Sequence, residues 1–299
     1  MRLCWNDGLG DNYRNMKIEE IKFIYDIGYR VAGLGPDFDA TDDDIKRVKD
    51  MFAQVGMAFG PIGIGATVIH PDKAVEKKYK EQLKKALIIG GKLGCTNLRY
   101  SAGSMDENNI WIYHPDNHTQ KALDMLIESA KELVPVAEDN RMTLGPETTQ
   151  FTIVDTIERM KEYVDRLDSP YAKIILDPVN HMSYDRVFES GKFVRCAIAT
   201  LGDRIASIHV KDVKVDPNKL LVCHIDEAPM GTGVLDHEAL ISASDDLEPW
   251  KTFSLEHISD KKMWKPAYDH IQMVADKMGH KWTDPFLTRE KWEKEQKKN

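Results

Sequence analysis

The sequence lacks the features that mark membrane and secreted proteins. Its 299 residues contain no apolar run long enough to cross a bilayer, so we expect no membrane-spanning helix. The first residues, Met-Arg-Leu-Cys-Trp-Asn-Asp-Gly, include no apolar segment of the kind that a signal peptide needs. We therefore expect a cytoplasmic location. No low-complexity stretch and no long linker rich in Gly, Ser or Pro divides the chain, which favours one domain.

Cysteine is scarce. The four cysteines, Cys4, Cys95, Cys196 and Cys223, lie far apart and show no Cys-x-x-Cys pair. This spacing excludes the usual zinc clusters and gives no sign of a disulfide framework. We expect these thiols to be small buried or semi-buried side chains.

Basic residues are also in deficit. Lysine and arginine number 41 against 49 aspartates and glutamates, which gives a formal net charge of −8. Nucleic-acid surfaces need clustered Lys and Arg to contact phosphates, so this balance argues against broad nucleic-acid binding. A local basic pocket for a small anion stays compatible with it.

Short apolar runs alternate with amphipathic helical segments, a rhythm typical of βα units and a parallel sheet. Eight runs are predicted as strands, each with a helix after it: residues 2–5, 29–34, 57–62, 96–101, 142–147, 173–177, 205–211 and 251–256. Eight such units fit one closed barrel better than an open doubly wound sheet. We predict a single α/β domain, a (β/α)8 TIM barrel over residues 1–281.

Residues 282–299 form a predicted C-terminal tail, a short helical extension rich in Lys and Glu. One interpretation is a solvated terminal helix that frays. The other is docking on a neighbouring subunit, because Trp282, Phe286 and Trp292 are costly to expose.

Four predicted strands end in residue types that bind metal ions: Glu147, Asp177, His209 and Glu256. Side chains alternate along a strand, so residues two apart share a face. On the face shared with each of these four, the preceding residues are mostly small or polar, while the other face is apolar and suits packing against helices. Carboxylates that converge at one barrel mouth repel each other, and a divalent cation removes that conflict. We predict one Mn, Mg, Co or Zn ion at this set of ligands.

Five motifs together resemble the sugar phosphate isomerase/epimerase superfamily of xylose isomerase-like TIM barrels. They are Gly145-Pro146-Glu147, Leu176-Asp177-Pro178-Val179-Asn180, Ile208-His209-Val210-Lys211-Asp212, Gly231-Thr232-Gly233 and Leu255-Glu256-His257. The resemblance covers nearly the whole chain through the order and spacing of its elements. It implies a Glu-Asp-His-Glu metal site that usually holds Mn.

In the ketose 3-epimerase branch, the resemblance implies that the two glutamates also move the proton. Glu147 and Glu256 are therefore the predicted catalytic residues, on opposite faces of a keto sugar. A metal that chelates a carbonyl oxygen and the adjacent hydroxyl acidifies the neighbouring C–H and stabilises an enediolate. One glutamate then takes the proton and the other returns it. The leading hypothesis is a metal-dependent sugar isomerase or epimerase.

Two other hypotheses stay open. Expulsion of a leaving group from the same site would make the protein a lyase on a keto sugar, a keto-inositol or an oxidised (3-keto) glycoside, including C-glycoside deglycosylation beside a small partner subunit. Otherwise we expect a homo-oligomer. A third class is an endonuclease IV-like DNA repair enzyme, against which the net acidity and the single ligand set argue.

Six further residues are candidates for substrate contact: Lys211, Asn180, His257, Arg99, Trp5 and Glu227. Trp5, like Trp111, has a ring suited to stacking on a sugar face. Two positions depart from the epimerase branch. Asn180 stands where that branch has His, and Lys211 and Lys214 follow the metal His where it has an Arg. The substrate is therefore not predicted from the motifs.

Overall fold

A computed structural model of the chain describes residues 1–7, 9–10, 12–216, 218 and 223–298. Ten strands are present: β1 (Arg2–Trp5), β2 (Val31–Leu34), β3 (Ala58–Gly63), β4 (Asn97–Ser101), β5 (Thr143–Glu147), β6 (Ile174–Leu176), β7 (Ile205–Val210), β8 (Asp212–Val215), β9 (Ile225–Ala228) and β10 (Thr252–Leu255). Eight of them form a closed parallel barrel in the order β1-β10-β7-β6-β5-β4-β3-β2. The predicted TIM barrel is confirmed, and each of its predicted strands lies within two residues of the observed bounds.

Helices connect the strands. They are α1 (Ile18–Ile27), α2 (Asp42–Val55), α3 (Lys73–Leu93), α4 (Gln120–Ala130), α5 (Val134–Asp139), α6 (Ile157–Leu167), α7 (Ser190–Leu201), α8 (His237–Ser244), α9 (Trp264–Met278) and α10 (Arg289–Gln296). Apolar spacing over residues 119–139 predicts one helix, but the structure has two. Pro135 lacks the N–H that a helix interior requires, so it stands in the first turn of α5 instead. No helix in the described residues is long and apolar enough to span a membrane.

The strand register fixes which side chains face the barrel interior. Ser254 lies opposite His209 between β10 and β7, and hydroxyl groups fill the layer beneath them. Ser207 Oγ is 2.8 Å from Thr252 Oγ1 and 3.2 Å from Ser254 Oγ. On the alternate face, Phe253 and its neighbours join the apolar core between barrel and helices. The alternation predicted from sequence therefore orders the whole barrel.

An antiparallel hairpin, β8 with β9, projects from the end of β7. Its base is held by Asp212, a buried carboxylate that accepts hydrogen bonds from the backbone N–H groups of Gly231 (2.9 Å), Gly233 (2.8 Å) and Leu235 (3.2 Å). Position 233 requires glycine because a Cβ there would lie 2.2 Å from Asp212 Oδ1. The hairpin is thus anchored over the mouth formed by the C-terminal ends of the strands.

The C-terminal tail packs across the opposite end of its own barrel. Thr283 N donates to Met1 O at 3.0 Å, and Arg2 Nη1 donates to Pro285 O at 2.9 Å. The Trp282 ring lies 5.2 Å from that of Phe253. The predicted short helical extension is present as α10. Of the three aromatic residues in the tail, Trp282 packs against the core of the same chain, whereas Phe286 is 43% exposed.

Candidate metal centre and substrate pocket

Four side chains from different strand ends meet at the C-terminal mouth of the barrel. Each of Glu147, Asp177, His209 and Glu256 offers one ligand atom, and these atoms lie within 4.8 Å of one another. All four residues are buried. The parallel strands bring the four together because their C-terminal ends share one rim, as the sequence analysis expected.

The contacts among these residues combine ion pairs with backbone hydrogen bonds. His209 Nδ1 lies 2.9 Å from Glu256 Oε2 and 3.5 Å from Glu147 Oε1. Asp177 Oδ1 accepts from the backbone N–H groups of Val179 (3.0 Å) and Asn180 (3.3 Å), which fixes the orientation of its carboxylate. The other carboxylate oxygen, Oδ2, is left facing the centre of the cluster.

The donor set fits a divalent cation. Asp177 Oδ2, His209 Nδ1 and Glu256 Oε1 are buried and have charged neighbours, yet none makes a hydrogen bond of acceptable geometry. Buried polar atoms are normally satisfied, so three such atoms at one point require a partner. Three carboxylates and one imidazole suit a site of mixed oxygen and nitrogen ligands. A cation would satisfy these atoms together.

Burial and mutual charge shift the pKa values of this cluster. Burial, with Glu256 adding to it, raises the pKa of Glu147, but His209 and Arg99 outweigh both and lower it to about 2. Burial raises the pKa of Asp177 to about 6 against the opposing charge of Lys211. Burial disfavours charge on His209, but Glu256 and Glu147 raise its pKa to about 10. A proton on His209 thus stabilises the cluster when no metal is bound.

Lys211 and Asn180 form the floor of the pocket beside the cluster. Lys211 Nζ lies 2.8 Å from Asp177 Oδ2 and 3.3 Å from Glu256 Oε1, and it donates to Asn180 Oδ1 at 3.2 Å. Asn180 Nδ2 in turn donates to Glu147 Oε1 at 3.0 Å. The two side chains therefore connect all three buried carboxylates.

Glu227 and His257 stand at the rim. His257 Nδ1 is 2.9 Å from Glu227 Oε1, and that oxygen lies 3.3 Å from Lys211 Nζ. The pairing raises the pKa of His257 and lowers that of Glu227. His257 has a φ of 59°, a left-handed conformation that costs a non-glycine residue roughly 1–3 kcal/mol. This backbone turn directs its side chain towards the pocket rather than along β10.

Arg99 lies on the inner face of β4. Its Nε is 3.4 Å from Glu147 Oε2, and that nitrogen has no hydrogen-bond acceptor among the described residues. The guanidinium therefore faces both Glu147 and the open pocket. Five of the six predicted substrate-contact residues thus line one cavity.

Trp5 is the exception, and its predicted role in substrate contact is wrong. It pairs in register with Leu255, so it faces the helices rather than the barrel mouth. Its fully buried ring lies 4.3 Å from that of Trp264 and 5.5 Å from that of Tyr29. Trp111, in the loop after β4, lines the pocket instead.

The pocket has a volume of about 900 Å³ and two unlike sides. The polar side borders the cluster and includes Arg99, Asn180, Lys211, Glu227 and His257. The apolar side includes Trp111, Phe151, Met182 and Tyr184, from the loops after β4, β5 and β6. Tyr184 is 71% exposed and Phe151 is 50% exposed, so large apolar surfaces face the solvent at this mouth.

Sequence reasoning missed three contributors. Asn6 directly follows β1 and donates from Nδ2 to Glu256 Oε2 at 3.1 Å, so the rule about polar residues at strand ends would have found it. Phe151 and Tyr184 lie in loops, where no periodicity marks a side chain as part of a site. Their positions depend on how the loops fold back over the mouth.

Comparisons with known proteins agree with this architecture. The family model described as Xylose isomerase-like TIM barrel matches residues 21–276. No curated protein sequence matches the chain. The chain belongs to the xylose isomerase-like TIM barrel family.

Solved structures similar to this chain include two sugar epimerases and a magnesium complex. D-psicose 3-epimerase with D-tagatose from Clostridium cellulolyticum H10 has a TM-score of 0.68 and 16% identity over 92% of this chain and 99% of that one. A xylose isomerase-like TIM barrel protein from Mycobacterium smegmatis in complex with magnesium has a TM-score of 0.69 and 15% identity over 91% of this chain and 96% of that one. The apo form of 3-keto-D-glucoside 4-epimerase from E. coli has a TM-score of 0.69 and 15% identity over 91% of this chain and 99% of that one. At these identities the likeness shows a shared fold.

Proposed function

We propose that the protein is a metal-dependent enzyme that moves a proton at the carbon beside the carbonyl of a keto sugar, as an isomerase or epimerase. The observation that carries this proposal is the pair of buried carboxylates, Glu147 and Glu256, in one cluster at the barrel mouth. Glu147 lines the pocket of about 900 Å³, and Glu256 lines an adjoining cavity of about 240 Å³ that shares Lys211, Glu227 and His257 with it. The strands of the two carboxylates are three apart around the barrel, with β6 and β7 between them. A bound sugar would therefore present opposite faces to the two carboxylates.

Each residue around the pair has a role that follows from its contacts. One of Glu147 and Glu256 takes the proton from carbon and the other returns it. Arg99 and Asn180 hold Glu147 ionised and oriented. Lys211 binds a substrate oxygen through its ammonium group, and Glu227 with His257 orients a hydroxyl at the rim. The result depends on where the proton returns: the other face gives epimerisation and the neighbouring carbon gives isomerisation.

Glu147, Asp177, His209 and Glu256 would hold the divalent ion, which supplies Lewis acidity beside a bound carbonyl. We propose Mn as the native ion, with Mg, Co and Zn as alternatives for this donor set. Elemental analysis of protein purified without added metal, compared with the Asp177→Asn variant, identifies the ion. Retention of the same metal content by Asp177→Asn would remove Asp177 from the ligand set.

Proton exchange in deuterated water tests the reaction. Free ketoses incubated with the metal-loaded protein are expected to take up deuterium at the carbon beside the carbonyl, as measured by NMR. Glu147→Gln should abolish the uptake, while Glu128→Gln, an exposed glutamate paired with Lys131, serves as the matched control. Uptake that survives in Glu147→Gln at full metal occupancy would contradict the catalytic role of that carboxylate.

A lyase on an oxidised glycoside is the second candidate, and the apolar wall of the pocket favours it. A cavity of about 900 Å³ lies near the upper end of the size range of pockets for drug-sized ligands, more than one free ketose fills. Trp111, Phe151 and Tyr184 would cover the aglycone of a glycoside. Incubation with 3-keto glycosides separates the two reactions. Exchange without release of the aglycone would count against the lyase.

DNA repair has little support. The one cluster of ligand-type side chains found in the described residues has four members with a single His, which is fewer ligands than a three-metal site needs. The chain also carries a net charge of −8. Retention on DNA at physiological salt would revive this function.

A further inference from the structure

A second cavity lies at the opposite end of the barrel, between the starts of the strands and the C-terminal tail. Its volume is about 260 Å³, and its lining is distinct from that of the substrate pocket. Arg2 begins β1 and Trp250 precedes β10, while Thr288 and Arg289 come from the tail. The cavity is thus closed on one side by the barrel and on the other by the tail.

Arg2 is a buried cation that no carboxylate contacts directly. It is 2% exposed, and its Nε and Nη1 donate to the carbonyl oxygens of Trp250 (2.8 Å) and Pro285 (2.9 Å). Its Nη2 group has no acceptor among the described residues, and the negative charge of Asp284, in the tail, acts on it without forming an ion pair. The Nε1–H of Trp250, also buried, lacks an acceptor as well. Leaving such groups unpaired is costly, so a negatively charged partner from outside the chain would stabilise them.

The rest of the lining adds two guanidinium groups, each paired with one carboxylate. Arg141 pairs with Glu290, and Arg289 Nε lies 2.7 Å from Glu293 while its guanidinium stacks 4.4 Å from the Tyr171 ring. The lining therefore holds three guanidinium groups and a single carboxylate, that of Glu290.

The first turn of a helix borders the same cavity. Thr288 is the N-cap of α10, and its hydroxyl accepts from Lys291 N. Helix N-termini favour anions because their first N–H groups point outward. Buried donors, guanidinium groups and a helix start thus face one small space.

We propose that this cavity binds a small oxyanion, a phosphate or a carboxylate, which accepts hydrogen bonds from the unpartnered Nη2 group of Arg2 and Nε1–H of Trp250. The anion would bridge Arg2 on the barrel to Arg141 and Arg289, and would hold the tail against the strand starts. This site is independent of the reaction at the other mouth. Its ligand is defined by charge and size: one oxyanion group and a few further atoms fit the volume.

Titration with inorganic phosphate, followed by calorimetry and by thermal unfolding, tests the site. Saturable binding is expected, with a rise in Tm. Arg141→Gln should weaken binding roughly tenfold, because a charge-assisted hydrogen bond is lost. Glu290→Gln should tighten it, because the carboxylate in the lining is neutralised. Arg14→Gln is the matched control, since Arg14 is similarly exposed and pairs with one acid elsewhere, and it should leave binding unchanged.

Hydrogen exchange locates the bound anion. Phosphate should slow exchange in residues 288–298 of the wild type and less so in Arg141→Gln. Because Arg2→Met removes the hydrogen bonds to Trp250 O and to Pro285 O of the tail and risks misfolding, Arg141 and Glu290 carry the test. Absence of saturable binding would overturn the proposal. Binding that is lost in Arg99→Gln but kept in both Arg141→Gln and Glu290→Gln would place the anion at the other mouth and overturn it equally.

Discussion

The two ends of the barrel bury charge of opposite sign. At the C-terminal mouth, Glu147, Asp177 and Glu256 are buried carboxylates with one buried ammonium, Lys211, among them. At the N-terminal end the buried charged groups are cations, Arg2, Lys173 and Lys251. Catalytic groups of TIM barrels lie at the first end, and the second end usually contributes stability.

The two ends differ in how many of their buried charged groups find hydrogen-bond or ion-pair partners within the chain. Lys173 and Lys251 donate to the carbonyl oxygen of Asp203 at 2.7 and 3.1 Å, and Lys251 also pairs with Glu248 at 3.0 Å. The carboxylate end instead leaves three ligand atoms without hydrogen bonds. A buried charge that the chain satisfies is structural, whereas a set it leaves open indicates a bound partner. By that criterion Arg2, with its unpartnered Nη2 group, resembles the carboxylate cluster, although it lies at the N-terminal end of the barrel.

Removing a carboxylate from the open end has the largest expected effect. Assayed with enough added metal to keep the site loaded, Glu147→Gln should lower kcat roughly 10²–10⁴-fold, because the amide cannot accept the proton. Glu256→Gln should behave alike. Steady-state kinetics with elemental analysis checks this. If Glu128→Gln lost as much activity, the effect would be one of surface charge and not of the cluster.

The two ends should also differ in their response to pH. Burial lowers the pKa of His181, near the C-terminal mouth, from 6.5 to about 4. Between those values the unfolded chain binds a proton that the native protein does not, so stability falls as pH drops below about 6.5. At the other end, burial lowers the pKa of Lys251 from 10.5 to about 8. Between these two pH values the unfolded chain binds a proton that the native protein does not, so the free energy of unfolding falls as pH drops from about 10.5 to about 8.

Urea unfolding at a series of pH values measures both windows. Each is expected to change the free energy of unfolding by up to about 3 kcal/mol, from about 1.4 kcal/mol per pKa unit. His181→Gln should flatten the acidic window alone, and Lys251→Met the alkaline one alone. Equal slopes in the wild type and both variants would show that other groups control the pH dependence.

Metal binding should stabilise the carboxylate end by a smaller amount. At about 100 times Kd a ligand adds about 2.7 kcal/mol to the free energy of unfolding, which raises Tm by several degrees. Thermal unfolding with and without Mn²⁺ measures the shift. Asp177→Asn should abolish it, while Arg141→Gln at the far end should keep it in full. Loss of the shift in Arg141→Gln would mean that the two ends are coupled.

Much of this contrast was predictable from sequence, and the reason is periodicity. Strand alternation and the shared rim of parallel strands are enough to predict that Glu147 and His209 lie together. The same alternation directs Trp5 away from the mouth, because it pairs with Leu255, which faces outward; an aromatic ring near a strand end does not by itself indicate a sugar contact. Where a strand ends, its alternation stops, and His257 reaches the pocket through a left-handed turn that no pattern predicts.

Contacts between distant segments were beyond the reach of local patterns. The hairpin of β8 and β9 lies within a stretch that reads as a long loop, and the position of Glu227 depends on it. The tail covers the barrel through Arg2 and Pro285, which are far apart in sequence. Such contacts follow from the closed shape of the barrel and not from the residues near either partner.

The smallest predicted effect concerns the apolar wall of the pocket at the C-terminal mouth. If the substrate carries an aglycone, Phe151→Ser and Tyr184→Ser should each raise KM for an aryl 3-keto glycoside roughly fivefold, with kcat nearly unchanged. An aromatic contact contributes about 0.5–1.5 kcal/mol beyond the area it buries.

Phe188→Ser is the matched control, because Phe188 is 66% exposed but is not part of the pocket lining. A free ketose should show no change in KM with any of the three variants. An equal rise for the free ketose would mean that the wall contacts the sugar itself, and the pocket would then have a single sugar site without a place for an aglycone.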